Sequence, residues 1–127
     1  MANNAYQAYR NNTVLTSSPQ ELTLMLYNGA IKFCGQAKKA MEDKDVPEAH
    51  RLITRAQDIV EELQITLDDK YPVAEELDRI YDFILYQLAE ANMSKDPEAL
   101  DVATDLIREL RDTWAQIIKP GEKVASE

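Results

Sequence analysis

The sequence predicts an all-α fold: an antiparallel up-down-up-down four-helix bundle with a short N-terminal cap segment. Three observations lead there. Four stretches repeat apolar residues every three or four positions, the spacing of one helix face. Breaks between them carry helix-start signals, namely Ser18-Pro19, Asp45-Val46-Pro47 and Asp96-Pro97. Only three glycines and five prolines occur among 127 residues, too few for the many turns of an all-β chain. The length suits one domain, and 45% hydrophobic residues suffice for a compact core.

Residues 1–17 form the cap segment. They are polar apart from Tyr6, Tyr9, Val14 and Leu15. So short a segment cannot hold a helix alone in water, so it must dock on the body or stay mobile. The bundle spans residues 18–119. Ser18-Pro19-Gln20-Glu21 supplies a cap, a proline for the first helical position and a capping-box glutamate. The first helix follows over about 19–41, with core stripe Leu22, Leu26, Ala30, Phe33, Ala37 and Ala40. The second is predicted over about 46–68, burying Ala49, Leu52, Ile53, Ala56, Ile59, Val60, Leu63 and Leu67. Asp68-Asp69-Lys70-Tyr71-Pro72 breaks the chain again. The third, over about 72–93, carries Val73, Leu77, Ile80, Tyr81, Ile84, Leu88 and Ala91. The fourth, over about 97–118, carries Leu100, Ala103, Leu106, Ile107, Leu110, Trp114, Ile117 and Ile118. Pro120-Gly121 closes it, and 120–127 reads as a flexible C-terminal tail. Short turns make sequential helices antiparallel neighbours.

Composition narrows the function. Net charge is −9, yet residues 1–41 hold four basic residues against one acid, Glu21, so the remainder carries −12. Phosphate contacts need clustered Lys and Arg, so nucleic acid is excluded as a partner, and anionic membrane surfaces with it. No apolar stretch approaches the ~20 residues that span a bilayer, and no secretory leader opens the chain. The single cysteine, Cys34, has no internal partner. A reducing, cytosolic compartment is expected.

The inventory of chemical groups is nearly empty. His50, the sole histidine, lies on the solvent side of the second helix and lacks the Glu-x-x-His pattern of metal-bearing bundles. Cys34 reads as a buried, inert thiol. Glu61-Glu62, Asp68-Asp69 and Glu75-Glu76 are adjacent in sequence and point to different helix faces, so they make no catalytic dyad. No Gly-rich phosphate loop, nucleophile elbow or zinc-ligand spacing occurs. No enzyme, cofactor or metal is expected.

Apolar surface remains beyond what a bundle needs. Projected at ~100° per residue, Leu24, Tyr27 and Ile31 lie to one side of the first helix's stripe and Met25 beyond the other edge. Phe83 and Tyr86 lie off the stripe of the third, Ile65 off that of the second, and the stripe of the fourth widens to include Val102. A groove with several bare apolar side chains favours binding something, and an amphipathic helix fits most simply. Tyr6 and Tyr9, three apart, would share one face of a helical turn and form a displaceable cover. The expected partner-binding set is Tyr6, Tyr9, Leu24, Met25, Tyr27, Ile31, Phe83 and Tyr86. The same residues leave two other uses open: histidine phosphotransfer at His50, and weak homodimerisation of the free protein through the same apolar surplus.

Ordered motifs resemble a known family. Tyr6-Gln7-Ala8-Tyr9, Val14, Thr16-Ser17-Ser18-Pro19-Gln20-Glu21-Leu22 and Met25-Leu26-Tyr27-Asn28-Gly29-Ala30 are similar to the opening of the flagellar secretion (export) chaperone FliS. Tyr81-Asp82-Phe83-Ile84, Leu88-Ala89-Glu90-Ala91-Asn92 and Glu109-Leu110-Arg111-Asp112-Thr113-Trp114 continue the likeness in register. Gln20 departs mildly from it, since many members have glycine or another polar residue there. The resemblance implies a four-helix bundle that binds the disordered C-terminal segment of flagellin in the cytoplasm. It also implies that the bundle blocks premature polymerisation and helps deliver flagellin to a membrane protein of the type III export gate. In that family an N-terminal apolar pair, matched by Tyr6 and Tyr9, is linked to capping and to gate docking.

Overall fold

Ser18 sets the direction of the first helix. In the computed structural model, which describes residues 18–118, its Oγ accepts the Glu21 backbone N–H at 3.1 Å, and the Glu21 carboxylate accepts the Ser18 N–H at 3.1 Å. Two of the donors a helix start leaves open are thereby satisfied. Helix α1 runs Pro19–Glu42, α2 Val46–Ile65, α3 Val73–Ser94 and α4 Pro97–Ile117. Asp45 and Asp96 cap α2 and α4, each accepting a first-turn N–H, with proline in the first turn behind them. Helix α3 has no side-chain cap; Glu75 and Glu76 place negative charge on its N-terminal dipole instead.

The second helix stops at Ile65, three residues short of the expected 68. Local side-chain bonds account for this. Thr66 Oγ1 donates to the Leu63 carbonyl at 3.0 Å, and Asp68 Oδ1 accepts the Lys70 N–H at 3.0 Å. Such residues offer the backbone an alternative to helix. The other helix ends differ from expectation by one residue at most. The cap segment 1–17 and the tail 120–127 lie outside the described residues.

The helices pack as a ring in chain order, α1 on α2 and α4, α3 on α2 and α4. Cross-helix bonds fix the antiparallel sense. Trp114, late in α4, donates to the Gln20 carbonyl, early in α1, at 2.9 Å. His50 at the start of α2 meets Asn92 at the end of α3. Gln64 near the end of α2 donates to Asp78 and Asp82 in the first half of α3, at 2.9 and 2.7 Å.

Alanines draw α1 and α2 together. Ala30, Ala37, Ala49 and Ala56 are fully buried, and a Cβ added at Gly29 would stand 3.3 Å from Ile59 Cδ1. Ile53, Ile59, Ile84, Leu88, Leu100 and Ile107 fill the centre. Burying each large apolar side chain contributes about 1.5–3 kcal/mol. Two expected core positions are corrected: Val73 and Ile117 are exposed, because each points outward beside a neighbour that takes the buried place, Ala74 and Ile118 respectively.

Candidate partner-binding surface

The off-stripe residues of α1 divide between its two edges. Leu24 and Ile31 lie on the edge facing α4, the edge from which Asn28 accepts Arg111 at 2.8 Å and Lys38 donates to Asp101 at 3.1 Å. Both are half-buried, and Ile31 packs on the core. Met25, also half-buried, lies on the opposite edge, toward α2.

Tyr27 requires a correction. It does not face solvent: it is 3% exposed, and its hydroxyl lies 2.6 Å from that of Tyr81. The pair joins α1 to α3, the diagonal of the ring. Tyrosine is long enough to reach inward from the margin of the core stripe, which a projection of Cα positions does not register. Burial pushes both phenols above their ordinary pKa; the Tyr27 hydroxyl also holds Tyr81 up, while the bond from Tyr81 partly offsets the rise at Tyr27.

Phe83 and Tyr86 on α3 are exposed, at 46% and 61%. Phe83 lies toward α4, on the side away from the Asp78 and Asp82 contacts with α2. Across that seam, α4 exposes Val102 and Ile117 and half-buries Leu106 and Leu110. The apolar surplus therefore flanks α4 on both sides, richest on the α3 side, and does not form one patch with Met25. Tyr6 and Tyr9 lie outside the described residues. Ile65 is exposed at the far end of α2, beside a cleft of about 490 Å³ lined by Gln64, Leu67, Tyr71, Pro72 and Asp78.

The Cys34 thiol is buried and pushed up to about 11, the bond to Thr104 and the charge of Arg108 only partly opposing the burial. Such a thiol is unreactive at neutral pH. His50 is exposed, and its Nδ1 accepts the Asn92 amide at 2.8 Å. Among the described residues no group of His, Cys, Asp and Glu side chains is placed to hold a metal, and no helix is long and apolar enough to cross a membrane.

One arrangement was not foreseen. Arg55 on α2 is 9% exposed, and its Cζ lies over the Phe33 ring of α1, 5.8 Å from the centroid. The stripe rule places Arg55 at the outer edge of α2 and says nothing of its depth. An aromatic at the facing level of α1 was the available signal.

Known proteins give this surface its context. The family model described as flagellar protein FliS matches residues 1–121. A flagellar secretion chaperone FliS of Bacillus subtilis is 36% identical over 120 residues, covering 94% of this chain and 90% of its own. Its counterpart from Vibrio cholerae is 34% identical over 117 residues, with coverages of 87% and 86%. A solved bacterial flagellar chaperone superposes with a TM-score of 0.75 at 20% identity, covering 91% of this chain and 95% of its own, which supports the same fold. With the four-helix ring, the family match over nearly the whole chain and these relatives in hand, the chain belongs to the FliS family of flagellar secretion chaperones.

Proposed function

We propose that this chain acts in the cytosol on flagellin. It binds the disordered C-terminal segment, prevents premature polymerisation and helps deliver the bound subunit to the membrane protein of the export gate. The observation that carries this reading is the apolar surplus flanking α4: Phe83, Val102 and Ile117 exposed, with Leu24 and Ile31 half-buried on the other side. A flagellin segment that forms helices in the filament needs its apolar face covered beforehand, and these seams offer such a cover. Ordering a disordered chain costs free energy, so an extended interface along both seams suits the task. In this reading Leu24, Met25, Ile31, Phe83 and Tyr86 contact the segment, and Tyr6 and Tyr9 cover the surface until it arrives.

The test is calorimetric titration of the protein with a flagellin C-terminal peptide. A dissociation constant of about 1 μM or tighter, with a raised melting temperature, is expected. No heat and no thermal shift at tens of micromolar would defeat the proposal.

A further inference from the structure

The end of the bundle where α2 gives way to α3 bares a second apolar surface. Ile65 and Tyr71 are 78% and 63% exposed, more than Phe83 at 46%. With Leu67 and Pro72 they line the cleft of about 490 Å³. Its lining comes from the end of α2, the connecting turn and the start of α3. Asp78, also in the lining, accepts the Gln64 amide of α2 at 2.9 Å, which puts the cleft on the α2 side of α3. Phe83 lies on the other side of that helix, toward α4. The cleft is therefore separate from the surplus that flanks α4. Large apolar side chains bared beside a concave surface favour a partner that covers them.

Charge indicates which partner. Residues 61–82 hold eight acids against two bases, a net −6 in a chain of −9. Asp69, Glu75 and Asp78 belong to the cleft itself. Arg79 stands 3.7 Å from Glu75, but both side chains are exposed and such a pair holds weakly. Lys70, the other base, is exposed in the turn. Asp78 and Asp82 meet the neutral Gln64 amide at 2.9 and 2.7 Å rather than a cation. The local field is negative, so it draws a cationic segment and repels an acidic one. Among the described residues no carboxylates are grouped to hold a metal ion, so a bare cation is a poor occupant. An apolar cleft bordered by carboxylates fits a helix with an apolar face flanked by Lys or Arg. Their stems lie along apolar surface while their charged heads reach the carboxylates.

We infer that the α2–α3 end of the bundle docks a basic amphipathic helix of a partner protein. Ile65 and Tyr71 cover its apolar face, and Asp69, Glu75 and Asp78 select its charge. The inference is independent of the flagellin reading, since it uses neither seam of α4.

The experiment titrates the full chain with three synthetic peptides of about 15 residues, long enough to form a helix on binding. The first sets leucines on one helical face and lysines on the other. The second has glutamate in place of lysine, and the third has the first one's composition with the leucine spacing scrambled. At about 0.15 M salt the leucine–lysine peptide should bind at tens of micromolar or tighter, and the other two about tenfold more weakly or worse. Ile65→Ser with Tyr71→Ser should lower the first peptide's affinity about tenfold, and so should Asp69→Asn with Glu75→Gln and Asp78→Asn. All these positions are exposed, so both variants should melt within a few degrees of the native protein. Asp105→Asn with Glu109→Gln, exposed on α4, removes acid elsewhere and should leave the affinity unchanged. Equal affinity for the lysine and glutamate peptides, or for the native protein and either cleft variant, overturns the inference. So does an equal fall in the α4 variant, since the attraction would then be the net charge of the whole chain. If the serine variant loses its fold, the carboxamide variant decides alone.

Discussion

The Tyr27 and Tyr81 hydroxyls share one bond at 2.6 Å in a place where water is scarce. Replacing one tyrosine by phenylalanine strands the other hydroxyl, while replacing both removes donor and acceptor together. Tyr27→Phe or Tyr81→Phe alone should cost about 1–3 kcal/mol, and the double variant less than the sum of the two. Alkali reads the same pair. Both folded pKa values lie above the ordinary value of 10.0, raised chiefly by burial. Below that value both phenols are neutral in either state and their contribution is fully present. Above it the unfolded phenols ionise and the folded ones resist, so stability is lost as pH rises. The melting temperature of the double variant should therefore decline less between about pH 9 and pH 11 than that of the native protein. An equal decline would show that the pair is not the alkali-sensitive element. The pairing was not legible beforehand: a stripe gives the direction of a side chain and not its length, and Tyr27 stands at the margin where length decides. Cys34 and Ala30, short residues beneath the neighbouring turns, needed no such reach.

At the scale of the element, starts were more legible than stops. Serine or aspartate before proline announces a helix because both the cap bond and the fixed proline φ are local. Stops depend on which residue accepts a left-handed conformation. Helix α1 ends with the Asp45 N–H on the Ala40 carbonyl at 2.8 Å and the Lys44 N–H on the Met41 carbonyl at 3.0 Å. This is the double bond of a Schellman turn, and it needs Lys44 at φ 60°. Glycine is the residue that adopts this conformation without steric cost; for lysine it costs about 1–2 kcal/mol. Lys44→Gly should therefore stabilise the bundle by about 0.5–1 kcal/mol, after the added freedom of the unfolded chain is discounted. Chemical denaturation measures it as a raised midpoint at unchanged slope. A lowered midpoint would mean that Lys44 makes a compensating contact. The chain has only three glycines, and none stands at a helix end within the bundle, so a rule that seeks glycine finds no stop there.

Across the whole molecule, the bundle followed from periodicity. The candidate surface was only partly legible. Exposed Phe83 and Tyr86 were found because they lie far from any core stripe, whereas Val73 and Ile117 were hidden because they lie within one. At the helix ends a one-residue difference decides burial, since Ala74 and Ile118 are buried beside them. The assembled ring also bears on the cap segment. The buried core cluster runs from Leu26 to Ile107 and draws on all four helices. With a core drawn from all four helices, the fold is expected to survive without Tyr6 and Tyr9. A cover that competes with the partner lowers apparent affinity by the fraction of uncovered molecules, and removing its anchors restores that fraction. The variant Tyr6→Ala with Tyr9→Ala should thus melt within a few degrees of the native protein, bind the flagellin peptide at least as tightly, and deliver less flagellin to the export gate in cells. Melting and titration separate the roles. A large fall in melting temperature assigns the tyrosines to the core. A fall in affinity with the fold intact assigns them to the partner interface, and only the expected combination leaves them as a displaceable cover.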